Sequence, residues 1–181
     1  MCDGPSEGLE LLPEKVTKTE ANVIETIHYG FFMGLGATLA MDLWAVIQHR
    51  IWNLPLPNWA MPGRWFAHLF KGQVFHQDIS QAKEVPSELL LGWLFHYGVG
   101  VAYGILFLLI VGTEWLVNPG FLSAWIFALV TIAAGWFILR PGMGLGWAGK
   151  NTPAPWKTRG LGLVAHTIFG LGLWGSGLWL G

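Results

Sequence analysis

Three ionisable side chains stand at corresponding places in three apolar stretches of the chain: Asp42, His96 and His166. Each of them belongs to a row of mostly small residues spaced four apart, namely Gly30, Gly34, Thr38 and Asp42; Gly92, His96, Gly100 and Gly104; and Gly162, His166 and Gly170. Residues four apart lie on one face of a helix, and small residues on such a face let membrane helices approach closely. The spacing therefore predicts three closely packed helices that place one carboxylate and two imidazoles in a common layer.

One carboxylate and two imidazoles suit several kinds of chemistry. Asp42, His96 and His166 are suitable ligands for a divalent transition metal, and imidazole also exchanges protons near neutral pH. Alternatively, His96 and His166 could be the two axial ligands of a b-type haem, with the glycines leaving room for the macrocycle. A purely structural layer, in which Asp42 hydrogen-bonds the imidazoles and holds three helices together, also explains the pattern. We interpret the layer as the working group of a binding or transport protein for a metal ion or protons.

The composition indicates that these helices lie in a membrane. Of the 181 residues, 53% are hydrophobic and only 12% are charged, which is unusual for a soluble domain. A helix needs about 20 apolar residues to cross about 30 Å of hydrocarbon, and four stretches approach or exceed that length: residues 22–48, 89–111, 121–139 and 161–180. We expect an all-α, multi-pass membrane protein with a bundle of four transmembrane helices, preceded by an acidic, flexible tail at residues 1–21.

The basic residues predict the orientation of the bundle. Four spans place both termini and the short second loop on one side of the membrane, where Lys15 and Lys18 are the only basic residues. The two longer loops on the other side carry the remaining basic residues: Arg50, Arg64, Lys71, Lys83, Arg140, Lys150, Lys157 and Arg159. An excess of Lys and Arg marks the cytoplasmic side, so we expect cytoplasmic long loops and external termini.

The first long loop contains "MPGRWFAHLFKGQ", in which aromatic and apolar residues repeat at intervals of four while Arg64, His68 and Lys71 take the other side. This spacing predicts a short amphipathic helix in the headgroup layer between the first and second spans. His68, His76 and Asp78 offer possible metal ligands, but their spacing has no strong geometric signature. We therefore interpret the segment as an ordinary interfacial loop.

The second long loop has a glycine-rich segment, and Gly144 to Lys150 fits the frame of a phosphate-binding loop. Asn151 follows, however, where such a loop needs the hydroxyl of Ser or Thr, and a membrane helix precedes it instead of a buried strand. The sequence therefore argues against nucleotide binding. Contacts with lipid phosphates by Arg140, Lys150 and Arg159 are the expectation that remains for this loop.

Other features narrow the classes of function. A single cysteine, Cys2, excludes an internal disulfide and a cysteine-based zinc site, and a formal net charge of −1 gives no reason to expect nucleic acid as a partner. The chain has neither an evident nucleophile–base pair nor a second deep carboxylate, so we do not expect an enzyme. The expected partners are the lipid bilayer and, through the glycine rows, further copies of the chain or other membrane proteins. An accessory or assembly subunit of a membrane complex is therefore the alternative function.

Several motifs also occur together in one order: "GLGATLAMDLWA", "GRWFAHL", "GWLFHYGVGVAYG", "PGMGLGWA", "NTPAPW" and "AHTIFGLGLW". On these motifs the chain, from about Gly34 to Trp174, resembles a bacterial family of small, four-span inner-membrane proteins classified as a domain of unknown function. The resemblance implies a compact helical bundle in a bacterial inner membrane. It implies no activity, so Asp42, His96 and His166 rest on the chemistry of their side chains.

Overall fold

The computed structural model describes the backbone of residues 11–181 and the side chains of residues 22–181. Residues 1–10 of the predicted tail lie outside the described residues, and the first helix begins at Leu11. The described part is all-α, with five main helices: α1, Leu11–Trp52; α2, Ala60–Leu69; α3, Glu88–Val111; α4, Phe121–Gly142; and α5, Pro155–Leu180. Short 3₁₀ turns lie in the connecting loops.

Within the described residues, four helices are long and apolar enough to cross a membrane: Asn22–Trp52 within α1, and α3, α4 and α5 over their whole length. The predicted fold class, a four-helix membrane bundle with a short helix between the first two spans, is confirmed. The last span begins earlier than the apolar stretch, at Pro155. Proline suits the first turn of a helix because its missing N–H would have no partner there, so the polar residues after it extend the span toward the interface.

The glycine rows hold the bundle's own helices together. A Cβ atom on Gly34 would overlap the carbonyl oxygen of Gly100, and one on Gly104 would overlap that of Gly30, so α1 and α3 cross in backbone contact. Gly170 of α5 similarly packs against α4. The rows named in the sequence thus contribute to packing within the bundle, and association with further copies or other membrane proteins stays a prediction.

The two ends of the bundle differ in packing. We call the end that carries residues 53–87 and 143–154 the loop side, and the end that carries residues 112–120 and the C-terminus the terminal side. Large apolar side chains fill the core toward the terminal side, where the fully or almost fully buried residues are Met33, Phe107, Leu108, Phe169 and Leu173. The cavities described below lie toward the loop side.

The segment between α2 and α3 is tied to the end of α4. The backbone N–H groups of His76 and Ile79 donate hydrogen bonds to the carbonyls of Gly142 and Met143, at 2.9 and 3.1 Å. The Trp65 indole of α2 donates to the carbonyl of Val74 at 2.8 Å. Because these bonds join three separate elements, the first long loop forms an ordered cover on the loop side of the bundle.

Candidate functional site

Asp42 of α1 lies against two consecutive residues of α3. Its Oδ1 is 3.1 Å from Nε2 of His96, and its Oδ2 accepts a hydrogen bond of 2.7 Å from the Tyr97 hydroxyl. The Asp42 and His96 side chains are 21% and 11% exposed. Both carboxylate oxygens are thus engaged, as expected for a charge-bearing group in a membrane bundle. The predicted contact between Asp42 and a histidine is present in the structure.

Tyr97 is a site residue that the spacing of four did not identify. It follows His96 on α3 and therefore lies outside the row of small residues. A tyrosine inside an apolar span is nonetheless a signal, because a buried phenol O–H usually finds a hydrogen-bond partner. Asp42 is that partner.

Trp59, in the linker before α2, covers one face of the His96 imidazole. The ring centroids are 3.8 Å apart and the ring planes are inclined by 22°. Gly92 makes this possible, because a Cβ atom there would overlap the carbonyl oxygen of Trp59. The His96 imidazole therefore contacts both an aromatic face and a carboxylate oxygen.

His166 of α5 is the third residue of the predicted set, and it makes no hydrogen bond to Asp42. It lines a small cavity of about 80 Å³ together with His96, and Thr38, Tyr103 and Thr131 contribute polar groups to the same wall. At about 30 Å³ per molecule, this space has room for two or three waters. The Nδ1 atom of His166 is buried and has no hydrogen-bond partner among the described residues. The structure therefore pairs Asp42 with His96 and places His166 beside the same small cavity.

This arrangement is not the predicted metal site. Within residues 22–181, no group of three or more His, Cys, Asp or Glu side chains is placed to hold a metal ion. Asp42 divides its oxygens between His96 and Tyr97, and His166 joins neither. The cavity lined by both imidazoles, of about 80 Å³, is smaller than a haem macrocycle, and haem binding by His96 and His166 stays a prediction.

Two larger cavities open toward the loop side. One, of about 510 Å³, is lined by Asp42, His96, Arg140 and Lys157 among others, and the second, of about 680 Å³, is lined by His166, Trp136 and Arg140. Trp59 and Arg140 line both. The Arg140 side chain is partly buried, and among the described residues its guanidinium makes no hydrogen bond or salt bridge. It is therefore a cation available to a ligand in either cavity.

The three cations predicted to contact lipid phosphates have different surroundings. Lys150 is exposed and lines neither of these cavities. The Arg159 Nε donates to the carbonyl of Ala148 at 3.1 Å, and its guanidinium lies 4.6 Å from the centre of the Trp156 ring. Of the three, Arg140 is the one that faces the two cavities. Lipid contact by any of them stays a prediction.

The first long loop contains a polar cluster whose role the sequence did not reveal. Arg64 of α2, expected on an outward polar face, is 2% exposed. Its Nε and Nη2 atoms donate to the two carboxylate oxygens of Glu88, both at 2.8 Å, and Nη1 donates to the carbonyls of Ile79, Ser80 and Ala82. The hydrogen bonds to Glu88 raise the pKa of Arg64 above its ordinary value. Arg64 thus joins α2, the loop and the start of α3.

His68 and His76 form a hydrogen-bonded pair beside Arg64. Nδ1 of His68 is 2.8 Å from Nε2 of His76, whose own Nδ1 is 3.0 Å from the carbonyl oxygen of Gly142. A carbonyl only accepts, so His76 donates from Nδ1, and a neutral His76 then accepts from His68 at Nε2. Burial lowers the pKa of His68 below its ordinary value, and the neighbouring His76 lowers it further.

Asp78 does not join this histidine pair. Its Oδ1 accepts hydrogen bonds from the backbone N–H and the hydroxyl of Ser80, at 2.8 and 2.7 Å, and these bonds lower the pKa of Asp78. Asp78 therefore caps the short turn Ile79–Gln81. The metal site considered for His68, His76 and Asp78 therefore lacks its third ligand.

Comparisons with known proteins identify a family for most of the chain. A family model described as "Protein of unknown function (DUF2938)" matches residues 31–180. No curated protein and no solved structure matches the chain. The matched region contains Asp42, His96, His166 and the residues that line the cavities.

Proposed function

The chain belongs to the DUF2938 family of proteins of unknown function, and from that premise we propose that it is a membrane-embedded binding or transport protein that takes up and releases a proton at Asp42 and His96. One observation carries the proposal: the hydrogen-bonded Asp42 and His96 side chains form part of the wall of a 510 Å³ cavity between spanning helices. A protonation change there alters the charge that a bound ligand meets.

Protons suit this pair better than a metal ion does. An aspartate within a span costs about 2.5 to 3.5 kcal/mol on insertion scales, and this cost is offset when the carboxylate is partnered. Histidine side chains commonly exchange protons near neutral pH, and the face of Trp59 lies against the His96 ring. Asp42 and His96 therefore form a pair whose net charge changes by one when a proton arrives or leaves.

His166 places a second imidazole near the first. A few waters in the 80 Å³ cavity would connect His96 to His166 by hydrogen bonds. The apolar terminal-side core blocks any continuation of this route across the bundle. Proton exchange thus reaches the site from the loop side, and transport requires the packed half of the bundle to open.

Proton binding can be measured by NMR on the full-length protein with ¹⁵N-labelled histidine in micelles, with His96 assigned through His96→Gln. The spectra are recorded from about pH 5 to 8, where histidine side chains commonly exchange protons. We expect the His96 signals to change with pH and Asp42→Asn to alter that response. The exposed His28 is the internal control and should be unaffected by Asp42→Asn. A His96 signal that stays in one protonation state over this range would contradict the proposal.

Transport can be separated from binding in liposomes that contain a pH-sensitive dye and an imposed membrane potential. A transporter moves protons into these vesicles, and Asp42→Asn with His96→Gln abolishes the movement. Glu114→Gln, in the exposed short loop, is the matched control for removal of an acidic side chain. Titration of His96 without flux identifies a binding protein. The absence of both titration and flux favours the accessory-subunit alternative.

A further inference from the structure

We propose that the 510 Å³ cavity binds an amphiphile with an anionic phosphate or carboxylate headgroup, and that Arg140 holds this headgroup. The inference rests on the proposed function, because it assigns a ligand class to the same cavity. Asp42 and His96 form one part of the cavity wall, and Arg140 and Lys157 form another.

The polar groups around the cavity have more free donors than free acceptors. The Arg140 guanidinium has no acceptor among the described residues, and the exposed Lys157 ammonium stands at the rim. The Trp44 indole also lines the cavity, and its buried N–H has no acceptor in the described part of the chain. In contrast, both oxygens of Asp42 are already engaged by His96 and Tyr97. A ligand that supplies anionic oxygens matches this imbalance.

Arginine is well suited to such a headgroup. Its planar guanidinium donates two parallel hydrogen bonds to a carboxylate or phosphate, and these charge-assisted bonds are stronger than neutral ones. Partial burial of Arg140 increases its need for an anionic partner, because a partly desolvated cation without a partner is unfavourable. Arg64 in this same chain shows the satisfied arrangement, with a bidentate bond to Glu88. Arg140 lacks an equivalent carboxylate among the described residues.

The shape and surroundings favour an amphiphile over a free anion. Apolar residues make up much of the wall, including Leu54, Pro55, Leu161 and Ala165. The volume lies within the range of about 300 to 1,000 Å³ that is typical of small-molecule sites. The second cavity, of 680 Å³, also meets Arg140 and offers further apolar space for a chain. A headgroup at Arg140 can therefore extend an apolar tail along either cavity.

The test measures lipid binding to the full-length protein in detergent by native mass spectrometry, with phosphatidylglycerol, phosphatidylcholine and oleate as probes. We expect phosphatidylglycerol or oleate to bind more tightly than phosphatidylcholine and Arg140→Ala to weaken that binding by roughly 10- to 100-fold. Lys157→Gln should weaken it less, since Lys157 is exposed, and the exposed Lys150→Gln, outside the cavity, is the matched control. Equal binding by wild type and Arg140→Ala, or equal losses in Arg140→Ala and Lys150→Gln, would overturn the proposal.

Three further measurements keep the test decisive. Arg140→Lys retains the charge without the two parallel hydrogen bonds, so we expect it to bind less tightly than wild type and more tightly than Arg140→Ala. A loss in Arg140→Lys equal to that in Arg140→Ala, together with a lower unfolding temperature in both, would show that Arg140 is structural and would overturn the proposal. Inorganic phosphate alone should not compete at concentrations comparable to the lipid, and equal competition would overturn the amphiphile assignment. The two proposals are read out separately on the wild-type protein. A pH-dependent His96 signal without preference for phosphatidylglycerol or oleate overturns only the lipid assignment, whereas that lipid preference without a pH-dependent His96 signal overturns only the proton proposal.

Discussion

At the scale of single residues, the ionisable side chains fall into two groups: those whose hydrogen-bond partners the chain supplies and those that lack such partners among the described residues. Arg64 is buried and has both a carboxylate and three carbonyl acceptors. Arg140 is only partly buried and has no side-chain partner within the described part of the chain, and His166 has a buried ring nitrogen without one among the described residues. Buried polar groups in native proteins are nearly always satisfied, so the incomplete ones mark places where a ligand or water belongs. The satisfied groups, such as Arg64, connect elements of the structure.

Arg64→Met tests whether Arg64 stabilises the contact between α2, the loop and the start of α3. Removing this guanidinium leaves the Glu88 carboxylate and three carbonyls without their donor, and we expect a loss of about 3 to 5 kcal/mol in the free energy of unfolding. Unfolding in mixed detergent–SDS micelles, followed by tryptophan fluorescence, measures this loss. Arg50→Met removes an exposed arginine near the loop-side end of α1 and should change the stability by no more than about 0.5 kcal/mol. Similar effects of the two substitutions would refute the role of Arg64.

His68 predicts a pH dependence of stability. Burial lowers its pKa in the folded state below the ordinary value of 6.5, so the unfolded chain takes up a proton at His68 first as the pH falls. The stability that neutral His68 allows is present above pH 6.5 and is lost as the pH falls through 6.5 and then through the lower native value. In the same unfolding assay, His68→Gln should flatten this acid dependence, and the exposed His28→Gln should preserve it. An unchanged slope in His68→Gln would contradict the assignment.

At the scale of elements, close helix contact and a local irregularity together form the site. The backbone contact between α1 and α3 brings Asp42 next to His96 and Tyr97. In α4, a π-helical turn at Gly135–Leu139 directly precedes Arg140. Such a turn inserts a residue into the helix and rotates the side chains that follow it, and it often occurs at functional sites. We attribute the position of Arg140 between two cavities to this rotation.

Gly34→Ala tests the contact between α1 and α3. A methyl group at this position overlaps the carbonyl oxygen of Gly100, so the helices must separate, at a cost of about 1 to 3 kcal/mol. Gly98→Ala is the matched control, because a Cβ atom there meets nothing within 4 Å. We expect Gly34→Ala to lower the unfolding midpoint and to reduce any Asp42-dependent proton signal, with Gly98→Ala neutral or mildly stabilising. Equal stability of the two variants would exclude a tight crossing.

At the scale of the whole molecule, the bundle has a packed half and a hollow half. The terminal-side core is filled by large apolar side chains, whereas the cavities and Arg140, which has no partner among the described residues, lie toward the loop side. A ligand therefore reaches the site from the side that also carries eight of the ten basic residues. That these loops face the cytoplasm of a bacterial inner membrane stays a prediction.

The orientation can be measured by cysteine labelling. In a Cys2→Ser background, we place single cysteines at exposed Asn118 on the terminal side and at exposed Asn151 on the loop side. Because basic residues are retained in the cytoplasm, a membrane-impermeant maleimide should label Asn118→Cys in intact cells and Asn151→Cys only after permeabilisation. The reverse pattern would invert the predicted topology.

Several features followed from the sequence with little ambiguity. The four spans are recognisable because each is a contiguous apolar stretch, and a helix rising about 1.5 Å per residue must have that length to cross a bilayer. The approach of α1 to α3 follows from small residues at intervals of four, and it led directly to the contact of Asp42 with His96. The metal site did not follow, because ligand types alone do not specify where three side chains converge.

Local pattern thus determined the class of protein, its helices and one polar contact, since hydropathy and helical spacing are properties of neighbouring residues. The tertiary structure alone decided that Trp59 and Tyr97 complete the site, that Arg64 is buried against Glu88 and that Arg140 faces two cavities without a partner. Each of these outcomes depends on how helices and loops far apart in the chain meet, and burial and hydrogen bonding are set at those meetings. The same cationic residue types in the sequence therefore become a structural joint at one position and a candidate ligand site at another.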